Sequence, residues 1–429
     1  MTRRRRVALI LVMALAATMV LASYLSKTPC SGEPYDESGY SRNLANSYRL
    51  LCVTDIQYLW VGRGIDIHQL PYVRGHLEPA EHPPGHLVDG AIEYPVLTGL
   101  FMWATALPAD HSGEFLAWSA VALLPVALVI AWQLFTLVGR RALIVLAAPA
   151  MVLYAVYNWD LLPVAWTLGA VLAWRNRRFA LAAACLGLGA ATKIYPGFFL
   201  LPLFIERLMA RDRRGAALVA GAGGGAWLAA NGPFMAINFD GWWATYAFQA
   251  GREVSLDGNS IYHWGFPHWS TQTVDRFSMA VIGAGWVVAL VAGWWIARRR
   301  SGDYPWLQVG TAMLCVFLAF NKVYSPQYFL WVLPLLALIR VRWGWWVAGW
   351  CIDVVLFVGV LRMYHEGTDL VRQAASIGAW GKTVLLTLLF VVVLGARLAV
   401  APRQRPDPPP RPAVPPGRSE PDLAVAAAA

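Results

Sequence analysis

Along residues 1–400 long uncharged apolar runs alternate with short polar stretches, and most charges fall in the latter. A helix that crosses the hydrocarbon of a bilayer needs about 20 apolar residues, with about 17 the usual minimum. Runs near that length lie at 7–25, 115–138, 142–158, 160–174, 179–193, 195–208, 215–231, 277–297, 304–320, 326–340, 343–361 and 380–399. The pattern predicts about twelve spans, an even count that puts both chain ends on one side. The run EYPVLTGLFMWATALP (93–108) is too short to cross and is expected to dip into the membrane from outside as a re-entrant helix. Residues 7–25 read as a retained first helix, since no small-residue cleavage site follows them.

The polar stretches differ in kind. RRRR (3–6), RNRR (175–178), RLMARDRR (207–214), RRR (298–300) and RVR (340–342) are compact and basic, and cytoplasmic loops carry such excess. Both termini are therefore expected in the cytoplasm of a multi-pass plasma-membrane protein. Two other stretches, 26–94 and 232–276, are long and rich in Trp, Tyr, His, Pro and Gly; they are expected outside, carrying short interfacial helices. Loops this long in a compact protein are usually functional. The whole of 1–400 reads as one integral membrane domain, and the Pro-rich 401–429 as a disordered cytoplasmic tail.

Composition agrees. The chain is 58% hydrophobic and 14% charged, against about 25% charged in a soluble domain. The net charge of +10 resides in the loop clusters, so nucleic acid is not an expected partner. Cys30 and Cys52 share the first outer loop, an oxidising setting in which a disulfide and two free thiols both fit. Cys185, Cys315 and Cys351 lie in apolar runs and suit packing.

Polar residues near the outer ends of the spans carry the candidate chemistry. In LLCVTDIQYLW (50–60) a lone acid, Asp55, interrupts apolar sequence. A helix over 50–63 would put Val53, Ile56, Leu59 and Trp60 on one stripe and Asp55 opposite, as on an amphipathic helix at the interface. The bland alternative is a solvated acid paired with Arg49 or Arg63. Lys193 lies between two spans in GLGAATKIYP (187–196), before Tyr195; snorkelling to the headgroups competes with binding an anion. NKVYSPQY (321–328) repeats the pattern with Lys322, Tyr324 and Gln327; NWDLL (158–162) adds Asn158 and Asp160, EYP adds Glu93, and the second loop adds Arg252 and His263. Charges at membrane depth usually face a cavity or a partner. Together these outline an outward cavity with carboxylates, cations and aromatic rings, a mixture suited to a sugar on a lipid phosphate. HExxH, CxxC, Walker A, GxSxG and GxGxxG motifs are absent from the sequence, so neither a metal nor a cofactor is expected.

The run C-x-T-D-I-Q (52–57), EYPVLTG (93–99), NWDLL, GLGAATKIYP, the NGPF-to-Gly-Trp-Trp region (231–243) and KVYSPQY with Trp331 resemble glycosyltransferase family 87 of the GT-C superfamily. The resemblance implies a GT-C-like helical bundle and an inverting transfer from a polyprenyl-phosphate sugar, mannose favoured, to a hydroxyl of a cell-envelope glycolipid or glycan on the outer face. It implies Asp55 as general base, because relatives carry an essential acid in the first outer loop. Lys193, Lys322, Arg252 and His263 become donor-phosphate ligands, and Glu93, Asn158, Asp160, Tyr195, Tyr324 and Gln327 substrate contacts. Two other functions would share the cavity or the membrane pattern. A transporter or flippase of a lipid-linked sugar normally shows internal repeats, and none is evident here. A non-catalytic envelope scaffold would have no use for Asp55.

Overall fold

The computed structural model describes residues 2–81, 83–256, 258–300 and 302–400; the predicted tail, 401–429, lies outside the described residues. The chain is helical almost throughout. In order the helices are α1 (Arg3–Leu25), α2 (Ser47–Leu50), α3 (Asp55–Gly62), α4 (Val96–Ala106), α5 (Ser112–Val138), α6 (Ala142–Leu146), α7 (Pro149–Tyr154), α8 (Leu161–Arg175) and α9 (Phe179–Ala190). There follow α10 (Leu200–Met209), α11 (Arg213–Ile237), α12 (Phe239–Gly251), α13 (Ile261–Gly265), α14 (Thr271–Arg300), α15 (Trp306–Phe320), α16 (Phe329–Leu338), α17 (Trp343–Met363) and α18 (Asp369–Gly395). The long loop between α3 and α4 also holds a small antiparallel hairpin, β1 (His76–Glu78) with β2 (His86–Val88), which the apolar pattern did not announce.

Five segments among the described residues are long and apolar enough to cross a membrane: Arg3–Cys30, Ser112–Leu146, Thr271–Arg300, Trp343–Met363 and Asp369–Gly395. Their surroundings fit lipid. Over its apolar stretch α14 buries only 11% of its residues and presents Met279, Val287, Val288, Val291, Trp294 and Trp295 outward. Water would not tolerate so large an apolar face. At the end of α14 the guanidiniums of Arg298 and Arg299 lie over the rings of Trp294 and Trp295, an arrangement suited to the headgroup layer.

The other expected spans are shorter or broken, or, as in the 25-residue α11, less apolar, and the count of twelve full crossings is not supported. Residues 142–158 divide into α6 and α7 at Pro149, whose missing N–H suits a helix start. The run 195–208 opens as a 3-10 turn (Tyr195–Phe199) before α10. The run 326–340 opens as another (Pro326–Tyr328) before α16, whose ten residues reach about 15 Å. Every residue of α16 is buried, which is how broken helices are tolerated at depth. The segment 93–108 yields α4, eleven residues long and too short to cross alone.

Two loop boundaries also move. The helix expected over 50–63 starts only at Asp55, because Leu51 adopts a left-handed conformation (φ 58°) that ends α2 and residues 52–54 run without regular structure. The second long loop expected over 232–276 is partly helical, since α11 continues through Pro233 to Ile237 and α12 follows at once. Helix pairing is close where glycines permit it. A methyl at Gly378 of α18 would meet the Leu356 backbone of α17 at 2.6 Å.

Candidate active site

Asp55 is placed by backbone rather than by its own charge. Thr54 precedes α3, accepts the Ile56 amide at 3.3 Å, and donates its hydroxyl to the Tyr157 carbonyl at 2.9 Å. The Asp55 amide donates to that same carbonyl at 3.0 Å. Ile56, Leu59 and Trp60 of α3 are buried, as is Val53 in the stretch that leads into it. A disulfide between Cys30 and Cys52 ties the approach to α3 back to the end of the first helix. The carboxylate therefore opens the first turn of a helix, where the partial positive charge of the backbone favours an anion.

Two amides fix its orientation. Asn158 Nδ2 donates to Asp55 Oδ2 at 2.7 Å, and Gln327 Nε2 donates to the same oxygen at 3.3 Å. Asn158 also reaches the Tyr94 hydroxyl at 2.7 Å. Among the described residues Oδ1 accepts no side-chain hydrogen bond and is left for another proton. Desolvation pushes the Asp55 carboxyl up from 3.8 to about 6; the Asn158 hydrogen bond and Lys193 pull it down, and Glu93 and Asp160 push it further up.

Asp55 lines a cavity of about 550 Å³ with Lys193, Arg252, Glu93, Gln327 and Tyr328. Lys193 follows α9, in the break ahead of Tyr195-Pro196. Its ammonium pairs with Asp160 at 3.2 Å, and the rings of Tyr94, Tyr328 and Trp331 surround it at 5.0, 5.3 and 5.7 Å. Asp160 is fully buried; its Oδ1 also accepts from Trp331 Nε1 at 2.8 Å, while Oδ2 has no hydrogen-bond partner among the described residues. Tyr195, Trp331 and Tyr328 stack in sequence, with centroids 4.5 and 4.0 Å apart. Glu93 is bound by Arg63, whose guanidinium also covers Phe248 at 5.2 Å. Arg63 thus answers Glu93, not Asp55, and the bland pairing of Asp55 with it does not form.

The predicted residues do not all converge. Asp55, Lys193, Arg252, Glu93 and Gln327 line the cavity; Asn158 and Asp160 stand directly behind it. Tyr195 is buried beneath Trp331 and touches the site only through that stack. Lys322 points elsewhere: its ammonium donates to the Ala250 carbonyl and pairs with Asp275, both at 2.7 Å. Its charge is spent holding the second loop to α14. His263 sits on α13 with its ring against Trp264 and does not line the cavity, and Tyr324 is buried away from it. Tyr328, which closes the NKVYSPQY run, forms a wall of the cavity together with Tyr94 and Tyr157, which the sequence pattern did not single out. Lys27, also not singled out, lies buried between the cavity residues Tyr157 and Phe357, 5.5 Å from each ring. The signal for Lys27 was a lone lysine at the outer end of the first apolar run.

Fold and cavity together define a multi-helix membrane protein whose long loops and broken helices meet at a candidate active site. The model of glycosyltransferase family 87 matches residues 93–326, more than half of the chain. The chain belongs to glycosyltransferase family 87, and its general activity is the transfer of a sugar. Glu93, Asn158, Asp160, Lys193 and Arg252 fall within the matched region; Asp55, Gln327 and Tyr328 flank it. No curated protein matches the chain.

Proposed function

We propose that the protein transfers a sugar, mannose favoured, from a polyprenyl phosphate to a hydroxyl of a cell-envelope glycolipid or glycan, with inversion. The reaction takes place at the outer face of the plasma membrane, both termini being cytoplasmic. Asp55 Oδ1 takes the proton of the acceptor hydroxyl as that oxygen attacks the anomeric carbon. The bond from this carbon to the phosphate oxygen breaks, and the electron pair leaves with the polyprenyl phosphate. Lys193 keeps N–H groups beyond the one committed to Asp160, and with Arg252 it stabilises the leaving phosphate in a site of low dielectric. Tyr328, backed by Trp331, presents a flat face to the cavity on which a sugar ring stacks. Lys322 and His263 have no part in this reading.

The observation that carries the proposal is the arrangement around Asp55. One oxygen is held by two amides and the other accepts no side-chain hydrogen bond among the described residues, in a cavity shared with Lys193 and Arg252. A single displacement needs one such base. Its elevated proton affinity suits a group that must accept a proton near neutral pH. Incubating the protein in lipid nanodiscs with a panel of radiolabelled polyprenyl-phosphate sugars tests it. Label should pass from one donor, mannose first, to a lipid or glycan acceptor. Folded protein that transfers none of them would refute the donor class.

A further inference from the structure

Beneath the cavity, two ionisable side chains of the last two helices are buried in an otherwise apolar layer. Asp353 of α17 and Lys382 of α18 are 4% and 3% exposed. Asp353 Oδ1 accepts from the Tyr154 hydroxyl at 3.1 Å. Its Oδ2 and the Lys382 ammonium have no hydrogen-bond partner among the described residues, and no ion pair joins them directly. Lys382 lies over the Tyr324 ring, 4.3 Å from its centre. All three line one small cavity with room for about one water molecule. An acid and a base are costly at this depth and persist where they act on something.

The two tyrosines show what they act on. Tyr154 ends α7, and four residues later Asn158 donates to Asp55; Tyr324 lies three residues before Gln327, which donates to the same oxygen. The two chain segments that deliver the amides are thus anchored on one buried acid–base pair. We propose that Asp353 and Lys382, bridged by a water molecule, are positioning residues that hold Tyr154 and Tyr324 and so seat Asn158 and Gln327 on Asp55. The inference rests on Asp55 being the base and gives Asp353 and Lys382 no contact with substrate.

Removing both charges together avoids stranding one in the interior, so the test variant is D353L/K382M. Sugar transfer in nanodiscs should show kcat reduced at least tenfold, with KM for the donor within twofold of wild type. Losing amide donors that favour the carboxylate should move the acid limb of the pH–rate profile to higher pH. Q327A should show the same signature, and adding it to D353L/K382M should slow transfer less than threefold further. A variant that melts like wild type yet keeps kcat and the acid limb overturns the proposal. So do losses that multiply with those of Q327A. If D55N itself transfers sugar normally, the base assignment falls instead. The positioning claim is then decided by an experimental structure of D353L/K382M, where displaced Asn158 and Gln327 side chains support it and unmoved ones refute it. Should the double variant not fold, D353N carries the same readouts, since it keeps an acceptor for Tyr154 but not the charge.

Discussion

Replacing Asp55 by Asn removes one ionisable proton acceptor and almost nothing else. The side-chain oxygen of Asn can still accept from Asn158 and Gln327, so the geometry around Oδ2 survives. A positioned general base contributes about 10²- to 10⁴-fold in rate, which at 1.36 kcal/mol per factor of ten is about 3 to 5 kcal/mol of barrier. D55N should therefore lose at least a hundredfold in kcat while binding donor about as well as wild type. Stability should move the other way. The rise of the carboxyl from 3.8 to about 6 means that the folded protein favours the protonated acid. That contribution is complete below pH 3.8 and is lost as the pH climbs past about 6, so at neutral pH the wild type holds an ionised group it would rather not. The cost is at most about 3 kcal/mol, reduced by water in the cavity. D55N escapes it and should melt no lower than wild type. Transfer of radiolabelled sugar in nanodiscs, donor binding and thermal melting on the same preparation make the assay. D55N that keeps more than a tenth of wild-type kcat would refute the base; unchanged donor flipping with no transfer in either protein would favour a flippase.

Other consequences follow from the same contacts. The wild-type rate should fall about tenfold per pH unit below pH 6, because only ionised Asp55 can accept the proton, and a pH–rate profile flat to pH 4.5 would contradict this. K193M should strip the phosphate of a ligand and strand Asp160 in the interior, costing about 3 to 5 kcal/mol of stability. K193M/D160N should regain the melting temperature but not the transfer. K322M should destabilise the second loop, since it breaks the pairing with Asp275, yet leave KM for the donor within twofold; a tenfold rise in KM would return Lys322 to the phosphate. C52S opens a loop closed over 22 residues and should lower stability by about 2 to 4 kcal/mol, read as a lower melting temperature.

Much of the site was legible because charge is rare in this sequence. Asp55, Lys193 and Asp160 stand out against apolar neighbours; Asp55 and Lys193 are tolerated because they share a cavity, and Asp160 because it pairs with Lys193 behind it. The residues of the stripe Val53, Ile56, Leu59, Trp60 are buried as their apolarity suggested, but the helix starts five residues later than the pattern indicated and leaves Val53 outside it. Val53 and Leu59 line the same cavity as Asp55 instead of facing away from it. Hydropathy failed where helices break. Runs such as 195–208 and 326–340 are apolar enough to cross, yet Pro196 and Pro326 lie in the 3-10 turns that open them, and α16 is buried in protein rather than lipid. Lys322 looked equivalent to Lys193 because both precede a Tyr and a Pro. Their difference lies in Asp275, forty-seven positions earlier in the chain, which no local motif reveals. Asp353 and Lys382 were visible as lone charges in apolar runs, but only the packing of α17 on α18 shows that they share a cavity.

The most direct measurement is an experimental structure of D55N bound to an intact polyprenyl-phosphate sugar. If the cavity is the transfer site, the phosphate lies within hydrogen-bond reach of Lys193 and Arg252. The side chain at position 55 then faces the anomeric carbon from the side opposite the leaving oxygen. A phosphate seated away from Lys193, or a sugar whose anomeric carbon is turned from position 55, would contradict it.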